Sequence, residues 1–402
     1  MTYSRDGTCV AETNYNPLLP LHVRGEPMSS PRPLSGLVVV EIGHSIAAPY
    51  AGMILGELGA EVIKVENPKG GDACRGWGPP FAEGAATCFH AVNRGKQGIT
   101  CNLADPADAA RLKALIVARA DVMIHNLKFG ALDKYGLAPE ALVAEKPRLV
   151  CCNLNAFGAV GPLRGRPGYD PMMQAYSGLM SLLGEDRRPP VRVTASIIDM
   201  GTANWAVVGI LAALRERDRT GKGGIVDTSL YETSLALMSI LLADHLQTGE
   251  LPARHGSGVP MIVPYQAFEA ADGYLMVAAG NDNLFRRLAA ALGRPTLADD
   301  PGFATNGDRV VNRQALVAIL GDIFKTRPRD HWAALLERAG IPSGPINTMD
   351  QVVADPQTQA LGQIQQRGGL SLVGLPLSFD GERPAFDKRA PALGEDNSAI
   401  LG

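Results

Sequence analysis

The sequence predicts an α/β protein with a mostly parallel, doubly wound sheet followed by a smaller α+β region. Strand-like and helix-like segments alternate from residue 36 to residue 154, which is the pattern of successive βαβ units. A polar, Gly/Pro-rich stretch at 249–258 then interrupts the chain, and mixed helix and hairpin signals follow it. Hydrophobic residues are 46% and charged residues 20% of the 402 residues, which is enough apolar material for a large core.

The first βαβ unit spans residues 36–66. Its first strand is the apolar run at 38–42, which is typical of a strand buried on both faces. A helix follows at 49–58 and ends at Gly59, and a second strand covers 62–65.

Two further units extend the sheet. Asp105 is suited to cap a helix that has Pro106 in its first position, and the next strand lies at 122–124. The third unit starts at Pro139 and ends in a strand at 149–154. Such an alternation predicts right-handed crossovers between parallel strands.

The rest of the chain is predicted to be mostly helical, with a hairpin at the turn Asp272-Gly273. The helices are expected at 202–217, 232–247, 283–292, 313–325 and 330–339. After Pro342 we expect a short helical pair and then a β-rich tail that ends at Leu401.

The composition argues against several classes of function. A net charge of −3 does not favour a nucleic-acid surface, which usually needs a basic domain. No apolar stretch reaches the roughly 18 residues of a membrane helix, and residues 1–33 lack the features of a signal or transit peptide and are expected to form a tail. The six cysteines form no CxxC pair and no zinc-like cluster with histidine. We therefore expect no metal, buried free thiols at Cys151 and Cys152, and a reducing, cytoplasmic setting.

The turn after the first strand does not favour dinucleotide binding. Residues 43–48 read GHSIAA, which supplies one of the three glycines that let a backbone approach a pyrophosphate. The sequence also lacks a Walker P-loop and a G-x-S-x-G nucleophile elbow.

Two carboxylates and a tryptophan are better candidates for a site. Asp199 just precedes the predicted helix at 202–217, where a carboxylate gains from the helix dipole but also fits a plain helix cap. Asp170 follows a Gly/Pro/Arg loop and equally fits a turn. Trp77 shares a loop with Arg75 and either packs or binds a ligand there. The cationic candidates for phosphate binding, each also explicable as a solvated surface residue, are Arg94, Lys96, Lys128, Lys134, Arg164 and Arg166.

Seven motifs occur in order between residues 34 and 401. They are LSGLVVVEIGHSIAAPYAGMILGELGAEVIKVE, GGDACRGWGPP, VNRGKQGITCNL, GPLRGRPGYDPMMQAYSG, DMGTANWAVVGILAALRERDRTGKG, GIPSGPI and RAPALGED. This series resembles the class III CoA-transferases, the family of formyl-CoA transferase and carnitine CoA-transferase. The resemblance implies that Asp199 is the family's nucleophile, which attacks an acyl-CoA to form a mixed anhydride and then stores CoA as an aspartyl thioester. Such a reaction needs neither ATP nor a metal nor a tightly bound cofactor.

The resemblance also implies the remainder of the site. The supporting active-site residues are Trp77, Asp170, Tyr169, Ile46, Gly256 and Gly258, of which the two glycines belong to a flexible loop that is shorter here than in the family. The residues expected to bind CoA, among them several of the cationic candidates above, are Ser45, Asn67, Arg94, Cys101, Asn102, Leu103, Ala104, Asn126, Leu127, Lys128, Lys134 and Arg166. Asn67 and Lys134 each stand where the family has arginine. Ile46 replaces a glutamine near the nucleophile, which argues against oxalate or formate as the substrate.

The substrates and the reaction leave alternatives. The pieces HGSGVPMIVPYQAFEAADGY and AAGNDNLF are most similar to the branch that uses succinyl-CoA and dicarboxylates. A distal carboxylate favours an arginine fork, and the candidates are Arg75, Arg94 and Arg254. The 2-methylacyl-CoA racemases of the same superfamily are the alternative, but they have histidine where Tyr169 stands, and a phenol exchanges protons poorly at neutral pH. A protein that only binds CoA would require an inert Asp199.

The family fold implies a Rossmann-like large domain at 34–230 and a linker with a small domain at 231–341. A C-terminal segment, 342–402, is then expected to return to the large domain. The resemblance further implies an interlocked homodimer of two threaded rings. Its partners are expected to be acyl-CoA and small carboxylates, with no nucleic acid and no membrane.

Overall fold

The computed structural model describes residues 32–402, so the expected tail up to residue 31, with Cys9, lies outside the described residues. The strands in the described range are β1 (Val38–Ile42), β2 (Glu61–Glu66), β3 (Phe81–Ala82), β4 (Ala85–Ala86), β5 (Gln97–Thr100), β6 (Val122–His125), β7 (Val150–Asn155), β8 (Gly224–Ser229), β9 (Tyr265–Ala270), β10 (Gly273–Ala278), β11 (Ser343–Pro345), β12 (Ile364–Arg367) and β13 (Leu370–Val373).

Helices connect and cover these strands. They are α1 (Ala47–Glu57), α2 (Thr87–Asn93), α3 (Pro106–Arg119), α4 (Pro139–Glu145), α5 (Asp170–Tyr176), α6 (Leu179–Leu182), α7 (Ile197–Thr220), α8 (Leu230–Leu237), α9 (Ser239–Thr248), α10 (Asp282–Ala291), α11 (Asn306–Val311), α12 (Arg313–Phe324), α13 (Arg329–Arg338), α14 (Met349–Ala354), α15 (Pro356–Leu361) and α16 (Asn397–Leu401). Short 3₁₀ turns occupy Ala73–Gly76, Asp133–Tyr135 and Pro295–Ala298.

The main sheet contains six parallel strands in the order β5-β2-β1-β6-β7-β8. The predicted parallel sheet is therefore confirmed, and its strand order reverses between β1 and β6. Strands β5 and β8 were not predicted. In β5 only Ile99 is a large apolar residue, and β8 is an edge strand whose residues alternate between half-buried and exposed, so neither strand has a continuous apolar run.

Apolar side chains cover both faces of this sheet. On one face Val39, Val62 and Cys152 pack with residues of α1 and α7, and on the other Ile63 and Cys151 pack with residues of α3 and α4. Successive residues of a strand point to opposite faces, which is why the neighbouring Cys151 and Cys152 belong to different layers. Both are fully buried free thiols, as predicted.

Helix α7 determines where the main candidate residue lies. It begins at Ile197, five residues before the predicted start, so Asp199 lies within its first turn rather than ahead of it. Gly221 ends the helix with a φ of +77°, a conformation that glycine adopts without steric cost. By length and composition alone α7 could also cross a membrane, a test that core helices of globular proteins pass as well.

A second core lies around the antiparallel sheet β11-β10-β9. The predicted hairpin at Asp272-Gly273 is confirmed by the pairing of β9 with β10, and α10, α12 and α13 contribute to the same core. The single helix predicted at 232–247 is broken at Met238 into α8 and α9. The helical pair expected after Pro342 is present as α14 and α15, and the β-rich tail is confirmed in part by the hairpin β12-β13, but the described chain ends in helix α16. There the Asp396 side chain accepts a hydrogen bond from the Gly98 amide (2.7 Å), which fastens the C-terminus to β5.

Candidate active site

Two adjoining cavities lie at the carboxyl ends of the parallel strands. The main cavity has a volume of about 710 Å³ and is bordered by residues that follow β1, β6 and β7. The second cavity has a volume of about 590 Å³ and is bordered by residues that follow β1, β2 and β5. The cavities share His44, Ser45, Leu127, Ala131 and Tyr169. Together they therefore span the point where the strand order reverses, the usual ligand crevice of an open α/β sheet.

The loops after β1 and β6 are tied together at this point. The His44 amide donates to Asn126 Oδ1 (3.0 Å), and Asn126 Nδ2 donates to the His44 carbonyl oxygen (2.7 Å). Ser45 has a φ of +65°, which is unusual for a residue other than glycine. Its amide donates to Asp72 Oδ1 (3.0 Å), so a buried carboxylate stabilises this backbone conformation at the mouth of both cavities.

A buried group of charges supports these loops from behind. Lys64 is fully buried and donates to Glu41, Asp72 and the Gly43 carbonyl oxygen at 3.0–3.2 Å. Lys96 is also fully buried and donates to the other Glu41 oxygen (2.6 Å). Two lysines thus face two carboxylates, and this pairing offsets the large cost of burying each charge.

The same group of charges anchors the loop that presents Trp77. Asp72 Oδ1 also accepts a hydrogen bond from the Cys74 amide (3.0 Å). The Glu66 carboxylate accepts from the Asp72 amide and from the Arg75 guanidinium. The Arg75 guanidinium lies 4.0 Å from the centre of the Phe89 ring. Trp77 itself is 46% exposed and lines the main cavity. It can therefore contact a ligand in that cavity.

Asp199 lines the main cavity beside a second carboxylate. Asp170 is only 2% exposed, and its Oδ2 accepts from the amides of Ile198 (2.7 Å) and Asp199 (3.2 Å). Asp170 therefore caps the first turn of α7 from another helix, a role that the sequence had suggested for Asp199. Gln174 Nε2 donates to Asp170 Oδ1 (2.6 Å) and holds the capping carboxylate in place.

This environment changes the acidity of Asp199. Burial, and to a smaller extent the nearby charge of Asp170, together raise the pKa of its carboxyl to about 7. A carboxylate with such a pKa is more basic than an ordinary aspartate, yet a large fraction is ionised near neutral pH. Asp199 is thus suited to attack an electrophilic carbonyl.

Most predicted site residues do line one of the two cavities. Those in the main cavity are Ser45, Ile46, Trp77, Asn126, Leu127, Lys128, Arg164, Arg166, Tyr169, Asp170 and Asp199. Those in the second cavity are Ser45, Asn67, Cys101, Asn102, Leu103, Ala104, Leu127, Lys134 and Tyr169. Tyr169 is 59% exposed at the junction of the two cavities, and Lys134 Nζ lies 4.7 Å from the centre of the Tyr135 ring.

Two cationic candidates must be corrected. Arg94 is buried away from both cavities, where it pairs with Glu57 and donates to the Val373 carbonyl oxygen (2.9 Å). Lys96 is the buried partner of Glu41 described above. Neither guanidinium nor ammonium is available to a phosphate, because each is already paired inside the fold.

The glycine loop is also absent from the cavities of the described chain. The Gly256 amide donates to the Gly184 carbonyl oxygen (3.0 Å), and Gly258 lies beside the His255 carbonyl and Gln266. The expected roles of Gly256 and Gly258 beside Asp199 are therefore not supported by their position in a single described chain.

The structure adds cavity residues that sequence reasoning missed. His44, Phe129, Asn155 and Arg192 line the main cavity. His44 could have been found as the second residue after an apolar strand of the parallel sheet. Nothing in the sequence distinguishes Arg192 from other surface arginines. Asn155 is buried, and both polar atoms of its side chain lack a hydrogen-bond partner in the structure.

Comparison with known proteins identifies the family to which the chain is similar. The model of CoA-transferase family III matches residues 34–397. Succinate--glutarate CoA-transferase of Agrobacterium fabrum is 38% identical over 381 residues, which cover 92% of this chain and 95% of that protein. Acetyl-CoA:oxalate CoA-transferase of Acetobacter aceti is 37% identical over 92% of this chain and 95% of its own length. The crystal structure of a CAIB/BAIF family protein from Brucella suis superposes with a TM-score of 0.82 at 42% identity, over 92% of this chain and all of that one.

Proposed function

This chain belongs to CoA-transferase family III, and we propose that it moves CoA from succinyl-CoA to a second dicarboxylate through covalent intermediates on Asp199. The observation that carries the proposal is the position of Asp199, a carboxylate with a pKa of about 7 that lines the main cavity. The chain is a class III CoA-transferase by its family. The donor, the acceptor and the role of Asp199 are our proposal.

The reaction is a series of acyl exchanges. The Asp199 carboxylate attacks the thioester carbonyl of the donor, the C–S bond breaks, and CoA leaves as a thiolate beside an acyl–aspartyl anhydride. The thiolate then attacks the Asp199 carbonyl of the anhydride. The donor carboxylate leaves, and an aspartyl–CoA thioester remains. The acceptor carboxylate and the thiolate repeat these two steps in reverse. Charge and protons balance at each step, because every step exchanges one anion for another.

Each half of the crevice suits one part of acyl-CoA. The second cavity is lined by amide, thiol and backbone groups, by the cation Lys134, and by Glu66 and Asp72, whose carboxylates are already paired with Arg75 and Lys64. We assign the nucleotide to this cavity. Ser45 and Tyr169 line both cavities and Asp199 lines the main one, so we propose that the pantetheine arm crosses from one cavity to the other at this junction. The amides of Ile198 and Asp199 already donate to Asp170. Other donors must therefore stabilise the oxyanions that form during attack.

The acceptor class is tested with a panel of donors and acceptors. Succinyl-CoA, acetyl-CoA and butyryl-CoA are combined with succinate, glutarate, oxalate, acetate and butyrate, and acyl-CoA products are separated by chromatography. We expect the highest turnover between succinyl-CoA and a dicarboxylate. Oxalate belongs in the panel because the Acetobacter aceti relative is named for it, although Ile46 argues against it. Turnover with monocarboxylates alone would refute the dicarboxylate assignment.

Racemisation of a 2-methylacyl-CoA remains the competing reaction. It requires two proton-transfer groups on opposite faces of one carbon, whereas Tyr169 is a half-exposed phenol where the racemases have histidine. We expect no incorporation of solvent deuterium into 2-methylbutyryl-CoA under conditions that give CoA transfer. Rapid incorporation without transfer to any acceptor would reverse the assignment.

We also propose that the chain forms an interlocked homodimer. Apolar side chains on α7, α8 and α9 are exposed on the described chain, among them Trp205, Val208, Leu237, Ile240 and Leu246. Several exposed large apolar side chains on consecutive helices are a feature of surfaces that meet a partner. When dimers with two different tags are mixed in the folded state, we expect no hybrid after days, because separation of threaded rings requires unfolding. Hybrid formation within hours would exclude interlocking.

A further inference from the structure

Three arginines of the main cavity are free to bind an anionic substrate. Arg164, Arg166 and Arg192 line the cavity. Within residues 32–402 none of them forms an ion pair or donates a side-chain hydrogen bond. An unpaired guanidinium in a ligand cavity is a ready partner for a carboxylate or a phosphate, which it binds in a bidentate manner.

The arginines expected from the sequence to bind a distal carboxylate are engaged elsewhere. Arg75 pairs with Glu66, and Arg94 pairs with Glu57 inside the fold. Arg254 donates to the Arg188 carbonyl oxygen (2.8 Å) and does not line the main cavity. A dicarboxylate in that cavity therefore needs a different cation.

Arg192 differs from the other two by the segment to which it belongs. Arg164, which follows β7, lies 5.0 Å from the centre of the Phe129 ring. Phe129 belongs to the loop after β6, whose residues Leu127 and Ala131 line both cavities. Arg192 lies in the segment that leads directly into α7, and its neighbours Thr194 and Ser196 line only the main cavity. Arg192 is thus on the segment that leads into the helix of Asp199, whereas Arg164 lies near the junction with the second cavity.

The backbone beside Arg192 is held by the same residues that hold Asp199. The Val193 amide donates to Gln174 Oε1 (2.9 Å), and Gln174 Nε2 donates to the Val193 carbonyl oxygen (3.0 Å). Gln174 also donates to Asp170, the residue that caps the first turn of α7. Gln174 and Asp170 are both buried. They therefore fix the Arg192 backbone and the nucleophile relative to each other before any substrate binds.

We infer that Arg192 binds the distal carboxylate of a dicarboxylic acyl group while the other carboxyl carbon of that group reacts with Asp199. This inference rests on the proposed function and assigns the cation that its substrate class requires. A dicarboxylic acyl group would form a charge-assisted hydrogen-bonded pair with Arg192, whereas a monocarboxylic acyl group of equal length would leave the guanidinium without an anion. Arg192 thereby selects dicarboxylic substrates.

The test compares succinyl-CoA with butyryl-CoA, which has the same chain length but lacks the distal carboxylate. Single-turnover acylation of Asp199 is followed by mass spectrometry, which detects slow reactions as well as fast ones. For Arg192→Gln we expect the ratio of the succinyl to the butyryl rate constant to fall about 10- to 100-fold, the range expected when one charge-assisted pair is lost. The butyryl rate constant itself should stay within about two-fold of wild type, since that substrate makes no such pair.

Two further variants serve as controls. Arg187→Gln removes an exposed arginine of the same loop that pairs only with its neighbour Asp186, and it should leave the ratio unchanged. Arg192→Lys retains a positive charge without the planar fork and should give an intermediate ratio. If Arg192→Gln proves unstable, the Lys variant alone decides, because a purely structural role for Arg192 would lower both rate constants equally.

The outcomes separate this inference from the proposed function. If the wild-type enzyme uses dicarboxylates but Arg192→Gln leaves the ratio unchanged, only the role of Arg192 is refuted. The same holds if Arg166→Gln, rather than Arg192→Gln, abolishes the preference. If wild type acylates Asp199 equally fast from both donors, no distal-carboxylate subsite exists, and the dicarboxylate assignment fails together with this inference.

Discussion

Neutralising Asp170 should make Asp199 more acidic and extend activity to lower pH. The two carboxylates are close neighbours, because Asp170 Oδ2 accepts a hydrogen bond from the Asp199 amide itself (3.2 Å). The Asp170 charge opposes ionisation of Asp199. The variant Asp170→Asn removes that charge but keeps an oxygen that can accept from the Ile198 and Asp199 amides.

The size of the effect follows from the pKa of Asp199. This pKa rises from an ordinary 3.8 to about 7, with burial as the larger cause and Asp170 as the second. Asp170 therefore supplies less than half of the rise, and we expect the acidic limb of the pH profile to move down by about one pH unit. At pH 6 the ionised fraction of Asp199 would then increase from about a tenth to about a half, which corresponds to a roughly five-fold higher rate relative to the plateau.

The assay is the single-turnover rate of acyl transfer from succinyl-CoA to Asp199 between pH 5 and pH 9. The Asn variant loses the bond from Gln174 Nε2 to residue 170, because an amide nitrogen cannot accept it. We therefore expect a loss of about 1–3 kcal/mol in the free energy of unfolding. The control Gln174→Met removes that same hydrogen bond, together with the two bonds to Val193, but retains the Asp170 charge, so it should be destabilised without a shift of the acidic limb.

If the acidic limb of the pH profile in Asp170→Asn stays in place or moves to higher pH, the expectation is refuted, because the Asp170 charge would then not raise the pKa of Asp199. A shift of equal size in the Gln174→Met control would also refute it, because that result would assign the effect to distortion of α7 rather than to charge.

Two other perturbations have definite expectations. Asp199→Asn should abolish CoA transfer. The folded pKa of about 7 exceeds the unfolded value of 3.8, so ionisation of Asp199 destabilises the fold progressively as the pH rises from about 4 to about 7. This difference corresponds to about 4 kcal/mol, so the free energy of unfolding of the variant should exceed that of wild type by about 4 kcal/mol at pH 8 and nearly equal it near pH 4. Urea titrations at both pH values measure this, and a variant less stable than wild type at pH 8 would contradict it. Lys96→Met should lose about 3–5 kcal/mol in the free energy of unfolding, because Glu41 keeps only Lys64 as a buried cationic partner. Thermal unfolding measures this loss. A loss below about 1 kcal/mol would show that the pairing of Lys96 with Glu41 contributes little.

Much of the main sheet was predictable from local sequence patterns. Four of its six strands, β1, β2, β6 and β7, contain short apolar runs of two or three residues because they are buried on both faces, although β2 also carries the buried Lys64. Helix α3 begins as predicted, with Asp105 accepting a hydrogen bond from the Ala107 amide (2.9 Å). Where burial is one-sided, as in β8, or the strand is short, as in β5, the local signal was too weak.

The candidate site was predicted less evenly. Family motifs identified Asp199, Trp77 and the segments around Ser45 and Asn126, and the structure places all of them at one cavity. Cations could not be assigned in this way, because the sequence does not reveal which lysines and arginines already have a buried partner. Arg94 and Lys96 have one, with Glu57 and Glu41 respectively.

The sequence by itself determined the elements whose signals are local: the alternation of apolar strands and amphipathic helices, the caps and glycine ends, and the series of motifs that indicates an aspartate nucleophile. Only the tertiary structure decided the functions that depend on distant residues. Asp170 caps the helix of Asp199 from 29 positions away, and Asp72 holds the Ser45 backbone from 27 positions away. The raised pKa of Asp199 arises from burial and from that neighbouring carboxylate. Solvent exclusion and charge proximity are properties of the folded chain, and no local pattern of residues determines them.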